Sequence, residues 1–349
     1  MALLAAVDML RDREGVEIVI SVGGQMQRVV TWIMAALFTI GSALPVVAAE
    51  KIVMAHLFDE SIPHHQEALW AAREVASRTD GRYVMEVLGR GAFGSTDTEH
   101  LDAIKAGLAD LTYVSFSHVA DVYGPISIGA GPYVFRDYRH WEAFRDSALF
   151  QELKQGYEKV AGVRVVGMVY YGQRHITSKK PITGLQDLKD MPIRAGTMRT
   201  IMKTLQLLGT KPVQIPFHEV YQALKSGIVE AQENPLPTIL AMKFYEVADI
   251  ITLTAHFTDG QLVLFNGPRW DSIPEGDKAI IASVLSEMSK RVSDDTRSQE
   301  VELIKTFREM GVTVNEIDKK PFKEALRPAL TSDAFPWGEE IYRRVQEIQ

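Results

Sequence analysis

Short apolar strands alternate with amphipathic helices along two stretches of the chain, and this alternation constrains the fold more than any other feature. The first stretch, Ile52 to Phe116, reads as strand, helix, strand, helix and strand, with helices predicted over 63–78 and 96–106. The second stretch runs from Met191 to Pro235. Such alternation is typical of doubly wound sheets, whose helices cover both faces. We therefore predict an α/β protein with two doubly wound domains.

The segments around these two stretches predict how the domains are joined. A strand over 163–171 is a candidate hinge, and further strands are predicted over 247–253 and 262–265. A charged helical segment over 274–310 is long enough, at about 1.5 Å per residue, to cross both domains.

Each predicted domain has its own sheet and is built from two separate parts of the chain. The predicted bounds are 50–171 plus 261–299 for domain I and 172–260 plus 300–349 for domain II. Ligands of open α/β sheets bind at the carboxyl ends of the strands, so we expect a ligand cleft between the two domains.

Sequence signals also mark the starts of three helices. Thr96 with Glu99, and Thr183 with Gln186, have the spacing of a capping box. Thr197 precedes a helical pattern and is predicted to be its N-cap.

An uncharged apolar segment over 29–49 predicts export. It ends in small residues, so residues 1–49 are interpreted as leader and signal peptide, cleaved after Ala49. The first 25 residues are too acidic for the start of a signal peptide, which makes Met26 a candidate start codon and leaves 1–25 untranslated. The alternative is an uncleaved membrane anchor, since the segment is long enough to span a bilayer. Helix-breaking glycine and proline residues within it favour cleavage.

Composition narrows the classes of function. The 349 residues are 46% hydrophobic and 24% charged, which is ordinary for a globular protein with a large core. A net charge of −7 argues against nucleic-acid binding. The chain has no cysteine, which excludes disulfides, a thiol nucleophile and a thiolate zinc site. We expect no cofactor.

Cationic and amide side chains stand near the ends of predicted strands. Arg174 ends one strand, Arg194 ends another, and Asn234 follows a third. A guanidinium beside a helix N-terminus suits a carboxylate, because two parallel N–H groups match its two oxygens. Phe217 is a candidate wall of the same cleft. The alternatives are a surface salt bridge for Arg194 and core packing for Phe217.

Sequence motifs for catalysis or metal binding are weak or missing. The chain has no nucleophile elbow, no H-E-x-x-H and no P-loop. His56 and His118 lie at strand ends and are cleft candidates, with structural histidines as the alternative. His64 and His65 at a helix start form a weak metal signal, and the glycine-rich GRGAFGST segment reads as a plain turn.

Three segments carry a resemblance to a known family. They are YYGQRHITSKKPITGLQDLKDMPIRAG, PFHEVYQALKSGIVEAQENPLPTI and KFYEV, and TDGRYVMEVL and PYVFRDYRHWEAF agree in the first half. The chain resembles the solute-binding proteins of tripartite ATP-independent periplasmic (TRAP) transporters over essentially its whole mature length. That family has a periplasmic binding protein-like fold, in which two α/β domains close on a ligand.

The resemblance implies roles for individual residues. It makes Arg194 the carboxylate clamp, Arg174 a second ligand-contacting arginine, Asn234 a ligand-contacting amide and Phe217 an aromatic cleft residue. The chain departs from the family at Ala195-Gly196, where Val-Pro is frequent, and at Ser115, where some members offer a charged residue. We add His56, Ser115 and Thr197 as candidate ligand contacts.

The implied function is capture of an organic acid in the periplasm and its delivery to the membrane permease subunits of a TRAP transporter. We expect a monomer that binds a small carboxylate. Sugar acids, short dicarboxylates and keto acids all remain open, and the histidines and amides favour a sugar acid. The alternatives are a secreted enzyme acting on an acidic sugar, with His56 or His118 as base, and the ligand-binding component of a sensor.

Overall fold

In the computed structural model, which describes residues 48–349, a nine-stranded mixed sheet forms the centre of the protein. Its strands are β1 (Glu50–Ala55), β2 (Tyr83–Leu88), β3 (Leu111–Ser115), β4 (Val163–Ser178), β5 (Pro192–Ala195), β6 (Lys211–Gln214), β7 (Ala231–Pro235), β8 (Ile250–Asn266) and β9 (Thr313–Asn315). Their order is β2-β1-β3-β8-β4-β7-β5-β6, and β9 pairs with β8.

Helices cover both faces of this sheet. They are α1 (Pro63–Arg78), α2 (Asp97–Lys105), α3 (Tyr138–Arg145), α4 (Ala148–Ala161), α5 (Arg199–Leu207), α6 (Val220–Ser226), α7 (Leu236–Ala241), α8 (Gly267–Ser272), α9 (Glu275–Glu309), α10 (Lys320–Leu330) and α11 (Gly338–Gln346). The predicted leader and signal peptide lie outside the described residues, apart from Ala48 and Ala49. Within residues 48–349, no helix has the length and apolar character needed to cross a membrane.

The sheet has two halves, one containing β1, β2 and β3 and the other containing β5, β6 and β7. The two longest strands, β4 and β8, lie between these groups and pass through both halves. The predicted hinge strand over 163–171 continues to Ser178, and the strands predicted over 247–253 and 262–265 form one strand of 17 residues. The two halves therefore share one continuous sheet, and the expectation of separate sheets is wrong. The polar segment between the predicted strands shows no apolar alternation, but antiparallel pairing with β4 holds its backbone extended.

Bulges bend β4 where it crosses between the halves. Its register against β8 shifts at three places, one of them between Tyr170 and Gly172. Gly172 has a φ of +124°, and a Cβ there would lie 2.8 Å from the Cβ of Pro235. Only glycine fits such a backbone without strain.

The long helix α9 packs against both halves, as predicted. Near its start, Ile281, Leu285 and Met288 belong to the core beside β1 and β2. Near its end, Leu303 and Phe307 belong to the core that includes residues of α6, α7 and the first part of β8. Its 35 residues span about 50 Å at 1.5 Å per residue, which covers both halves.

Of the three predicted N-terminal helix caps, the structure confirms one. Thr96 and Glu99 form the predicted capping box of α2. The pairing of Thr183 with Gln186 is wrong, because the carboxylate of Asp187 accepts the backbone N–H of Thr183 at 2.7 Å instead.

The third cap prediction is also wrong. Met198, not Thr197, occupies the N-cap position of α5, and no side chain caps that helix. The hydroxyl of Thr197 instead lies 3.0 Å from Nε2 of His118.

His64 lies among aromatic rings under β4. Its ring centre is 4.5 Å from that of Phe58, 5.2 Å from that of Tyr113 and 5.4 Å from that of Tyr171. Neither ring nitrogen finds a hydrogen-bond partner in the described part of the chain. Burial lowers the pKa of His64 to about 3, so the ring is neutral at pH 7.

We expect this histidine to weaken the fold in acid. A lowered pKa means that the unfolded chain binds a proton more readily, so the stabilisation is complete above the unfolded pKa of 6.5 and is lost as the pH falls towards 3. His64→Phe removes that titration. Between about pH 8 and about pH 5, the variant should gain about 2 kcal/mol in free energy of unfolding relative to the parent. Urea unfolding at both pH values measures this, and an unchanged difference would contradict the buried neutral state.

Candidate functional site

A cavity of about 350 Å³ opens between the two halves of the protein, beside the central strands and at the ends of β3 and β5. Six of the seven predicted ligand contacts lie on its wall: Ser115, Arg174, Arg194, Thr197, Phe217 and Asn234. The fold therefore brings together residues that are far apart in the sequence.

Arg194 points a buried guanidinium at this cavity. It lies on the short strand β5, between β7 and β6, and is 4% exposed. Its Nε donates to the carbonyl oxygen of Ile215 at 2.9 Å, whereas Nη1 and Nη2 have no hydrogen-bond partner among residues 48–349. Burial outweighs the attraction of Glu233 and lowers the pKa of Arg194 to about 10. The group stays charged at pH 7 and lacks a carboxylate in hydrogen-bond contact.

Neighbours of Arg194 set the shape of this end of the cavity. Its Cζ atom lies 5.9 Å from the centre of the Phe217 ring. A Cβ at Gly196 would lie in ordinary van der Waals contact with Nη2 of Arg194, at 3.6 Å. Phe217 begins a short 3-10 turn, Phe217–Glu219, which leads directly into α6.

Arg174 is also buried, but its charge is compensated. Nη2 donates to Oε1 of Glu233 at 2.8 Å, Nε donates to Oε2 of the same residue, and Nη1 donates to Oδ2 of Asp259 at 3.0 Å. Nη2 also reaches Oδ1 of Asn234 at 3.1 Å. A guanidinium carries five N–H groups, and one of the two on Nη1 has no acceptor among the described residues.

The pKa values of the two carboxylates beside Arg174 shift in opposite directions. Burial works to raise the pKa of Glu233, but the charge and the hydrogen bonds of Arg174, together with His256 nearby, outweigh burial and lower that pKa to about 2. Burial raises the pKa of Asp259 to about 6, and Arg174 offsets only part of this effect. Both carboxylates are mainly ionised at pH 7.

Sequence reasoning missed Glu233 and Asp259 as members of the site. Glu233 stands inside the Q-E-N-P tetrapeptide that carries the resemblance, and its place one residue before Asn234 was the available signal. Asp259 lies in the polar segment that we did not predict to be a strand. Asn234 itself lies within β7, not after it, and its amide nitrogen donates to Oε1 of Gln232 at 2.6 Å.

A chain of polar contacts links the two halves at the cavity. The hydroxyl of Thr197 lies 3.0 Å from Nε2 of His118, and Nδ1 of His118 lies 2.9 Å from Oδ2 of Asp97. That same oxygen accepts the backbone N–H of Ser115 at 2.9 Å. The side chain of Ser115 accepts the backbone N–H of Ser117 at 3.2 Å.

His56 is not on the cavity wall, so its predicted ligand contact does not fit the structure. Its Nδ1 accepts the backbone N–H of Phe58 at 3.2 Å, and its Nε2 lies 3.2 Å from Nδ1 of His65. Burial lowers the pKa of His56 to about 3. The strand ends at Ala55, and His56 turns into the core behind the cavity. In residues 48–349, no group of three or more His, Asp or Glu side chains is arranged to hold a metal ion.

The two arginines should differ in their effect on stability. We expect Arg174→Met to lower the free energy of unfolding by about 3–5 kcal/mol, because it leaves Glu233 and Asp259 buried without their cation. Arg194→Met has the same shape change but removes a charge with no carboxylate partner, so its cost should stay below about 1 kcal/mol. Urea unfolding without added ligand compares the two variants, and equal losses would contradict this assignment.

Comparison with known proteins supports one family. The family model described as Bacterial extracellular solute-binding protein, family 7 (DctP), matches residues 54–334. The sialic acid-binding periplasmic protein SiaP of Vibrio cholerae is 28% identical over 293 residues, which cover 84% of this chain and 91% of that protein. The 2,3-diketo-L-gulonate-binding periplasmic protein YiaO of Escherichia coli is 27% identical over 282 residues, which cover 78% of this chain and 84% of that protein.

Solved structures agree with the fold. A TRAP periplasmic solute-binding protein from Actinobacillus succinogenes with bound L-galactonate has a TM-score of 0.80 and 26% identity, covering 85% of this chain and 98% of that chain. Another, from Sulfurospirillum deleyianum with bound succinate, has a TM-score of 0.80 and 24% identity, covering 86% of this chain and 100% of that chain. They confirm the predicted periplasmic binding protein-like α/β fold class.

The family and the relatives are binding proteins of transport systems, so the chain is a binding protein and not an enzyme. It belongs to family 7 of the bacterial extracellular solute-binding proteins, the solute-binding proteins of TRAP transporters.

Proposed function

We propose that this protein captures an organic acid, either a sugar acid or a short carboxylate, through an arginine–carboxylate clamp at Arg194. It then delivers the acid to the membrane permease subunits of a TRAP transporter. The family membership supports the transport role, and the cavity supports the clamp.

The observation that carries the proposal is the state of Arg194. A buried guanidinium normally pairs with a carboxylate, since an uncompensated charge in a poorly hydrated site is costly. Arg194 lines the cavity, and its Nη1 and Nη2 have no hydrogen-bond partner in the described part of the protein. A ligand carboxylate that accepts two parallel N–H bonds supplies the missing charge in the geometry that a guanidinium favours.

The remaining wall residues provide secondary contacts. Arg174 offers its last N–H to the same ligand, and Asn234, Ser115 and Thr197 border the cavity as polar neighbours. Phe217 packs beside the clamp and limits the access of water to the ion pair. Water exclusion strengthens the interaction between the two charges.

Ligands of similar proteins point to the same chemical class. The named ligands include D-glucuronate for a protein of Pseudomonas putida, L-galactonate for that of Actinobacillus succinogenes and succinate for that of Sulfurospirillum deleyianum. Each of these compounds carries at least one carboxylate. A clamp for one carboxylate is the feature that such ligands require in common.

Closure of the two halves is part of the proposal. Domain I then comprises 50–171 plus 261–299 and domain II comprises 172–260 plus 300–349, with β4 and β8 as the hinge. The contact between Thr197 and His118 joins residues of the two parts. Closure around a bound acid gives the permease a conformation that differs from the unliganded one.

Export and oligomeric state have one direct test. We expect the mature protein to begin at Glu50 and to be a monomer in the periplasm, because the apolar segment over 29–49 ends in small residues typical of a cleavage site. Native mass spectrometry of periplasmic extract gives both the start and the assembly. A mass that still includes residues 29–49 would support the membrane-anchor alternative.

Substitutions at Arg194 test the clamp. Arg194→Ala should fold normally and lose roughly thirty-fold to several-thousand-fold in affinity, since truncation of a buried charged partner costs about 2–5 kcal/mol. Arg194→Lys keeps the charge but offers a single flexible donor, so it should still lose much of the affinity. Calorimetry with the organic acid that most raises the melting temperature of the parent measures both variants.

The control for this series is Arg199→Ala. Arg199 lies on α5 with its side chain 80% exposed, and its Nε is 3.0 Å from Oδ1 of Asp121. An exposed ion pair contributes little, so affinity should change by less than about threefold. If Arg194→Ala binds the acid as tightly as the parent, the clamp is wrong.

A further inference from the structure

We propose that Asp97 is a specificity-determining residue that accepts hydrogen bonds from ligand hydroxyl groups, and that the site therefore selects polyhydroxylated monocarboxylates and rejects dicarboxylates. This inference rests on the proposed carboxylate clamp at Arg194 and defines the other end of the ligand. It is carried by the contacts of Asp97 and by the charges on the cavity wall.

Asp97 has one committed oxygen and one available oxygen. Oδ2 accepts the backbone N–H of Ser115 at 2.9 Å and lies 2.9 Å from Nδ1 of His118. Oδ1 has no hydrogen-bond partner within the described part of the chain, although the side chain is only 9% exposed and lines the cavity. Because Asp97 lines the cavity, this oxygen can accept a hydrogen bond from a ligand hydroxyl group.

Asp97 is held in its ionised form. Burial works to raise its pKa, but His118 and the hydrogen bond from the backbone of Ser115 outweigh burial and lower it. Asp97 is also the first residue of α2, where the helix dipole favours a negative charge. An ionised carboxylate accepts hydrogen bonds and donates none.

The cavity wall carries one cation, Arg194, that has no carboxylate in hydrogen-bond contact among the described residues. Counted over the residues that the structure describes, the permanently charged or acidic side chains on the wall are Arg174, Arg194, Asp97 and Asp259. Asp259 pairs with Arg174, and Glu233 behind the wall pairs with the same arginine. Arg194 alone lacks a carboxylate, so one ligand carboxylate is compensated and a second is not.

A second ligand carboxylate would also meet Asp97. Arg194 and Asp97 lie on opposite parts of the fold, because Arg194 belongs to β5 and Asp97 begins α2, next to β3. A ligand that reaches from the clamp towards Asp97 with a second negative charge is repelled there. A hydroxyl group at the same place donates to Oδ1 and carries no charge.

The test compares hydroxy acids with a dicarboxylate on the full mature chain. Calorimetry measures D-glucuronate, L-galactonate, D-erythronate and succinate against the parent and Asp97→Asn. In the parent, at least one hydroxy acid should bind at least about tenfold tighter than succinate. In Asp97→Asn that acid should lose roughly tenfold to a hundredfold, because a hydrogen bond to a charged group contributes about 1.5–3 kcal/mol. Succinate should bind about threefold tighter or more, since the like charge is removed.

The opposite signs of these two changes separate recognition from damage to the fold. Asp102→Asn is the matched control, since it removes the same charge from the exposed face of the same helix and should leave both affinities unchanged. Equal weakening of both ligands by Asp97→Asn, or a parent that prefers succinate, overturns this inference and leaves the clamp intact. A parent that binds none of the four acids overturns this inference, whereas the clamp itself fails only if Arg194→Ala has no effect.

Discussion

The ion pairs of Arg174 with Glu233 and Asp259 hold together the three strands at the centre of the sheet. Arg174 lies on β4, Glu233 on β7 and Asp259 on β8, and β4 pairs with both neighbours. All three side chains are almost completely buried, so each charge depends on the others for compensation. Because β4 and β8 also run through both halves, the same cluster forms part of the cavity wall and of the connection between the halves.

This cluster explains why two buried arginines serve different purposes. Most N–H groups of Arg174 donate to protein acceptors, and the carboxylates of Glu233 and Asp259 compensate its charge within the protein. Arg194 has a backbone carbonyl for one nitrogen and no carboxylate for the others within residues 48–349. The neighbouring charge of Arg174 further disfavours its protonated form. The fold thus maintains a positive charge that has no carboxylate in hydrogen-bond contact within the described residues.

The long helix is connected to the same region. Glu300 on α9 accepts the hydroxyl of Tyr170 at 2.8 Å and also accepts the backbone N–H of Gln173. These contacts flank the bulge at Gly172, where a side chain would collide with Pro235 of the neighbouring strand. Burial raises the pKa of Glu300 to about 7. The helix that packs on both halves is therefore joined by hydrogen bonds to the bend of β4, the strand that carries Arg174.

The sequence by itself determined many of the local elements and most of the residues singled out on the cavity wall. Periodicity predicted α1 and α9 with nearly correct bounds, and the resemblance selected Arg174, Arg194, Phe217 and Asn234. The continuity of β8 and the pairing of Arg174 were decided only by tertiary structure. A polar strand has no apolar period to reveal it, and the partner of a buried charge depends on which strands become neighbours. Position at strand ends and the family resemblance therefore identified two arginines, and only the packed strands determined which of them has no carboxylate partner among the described residues.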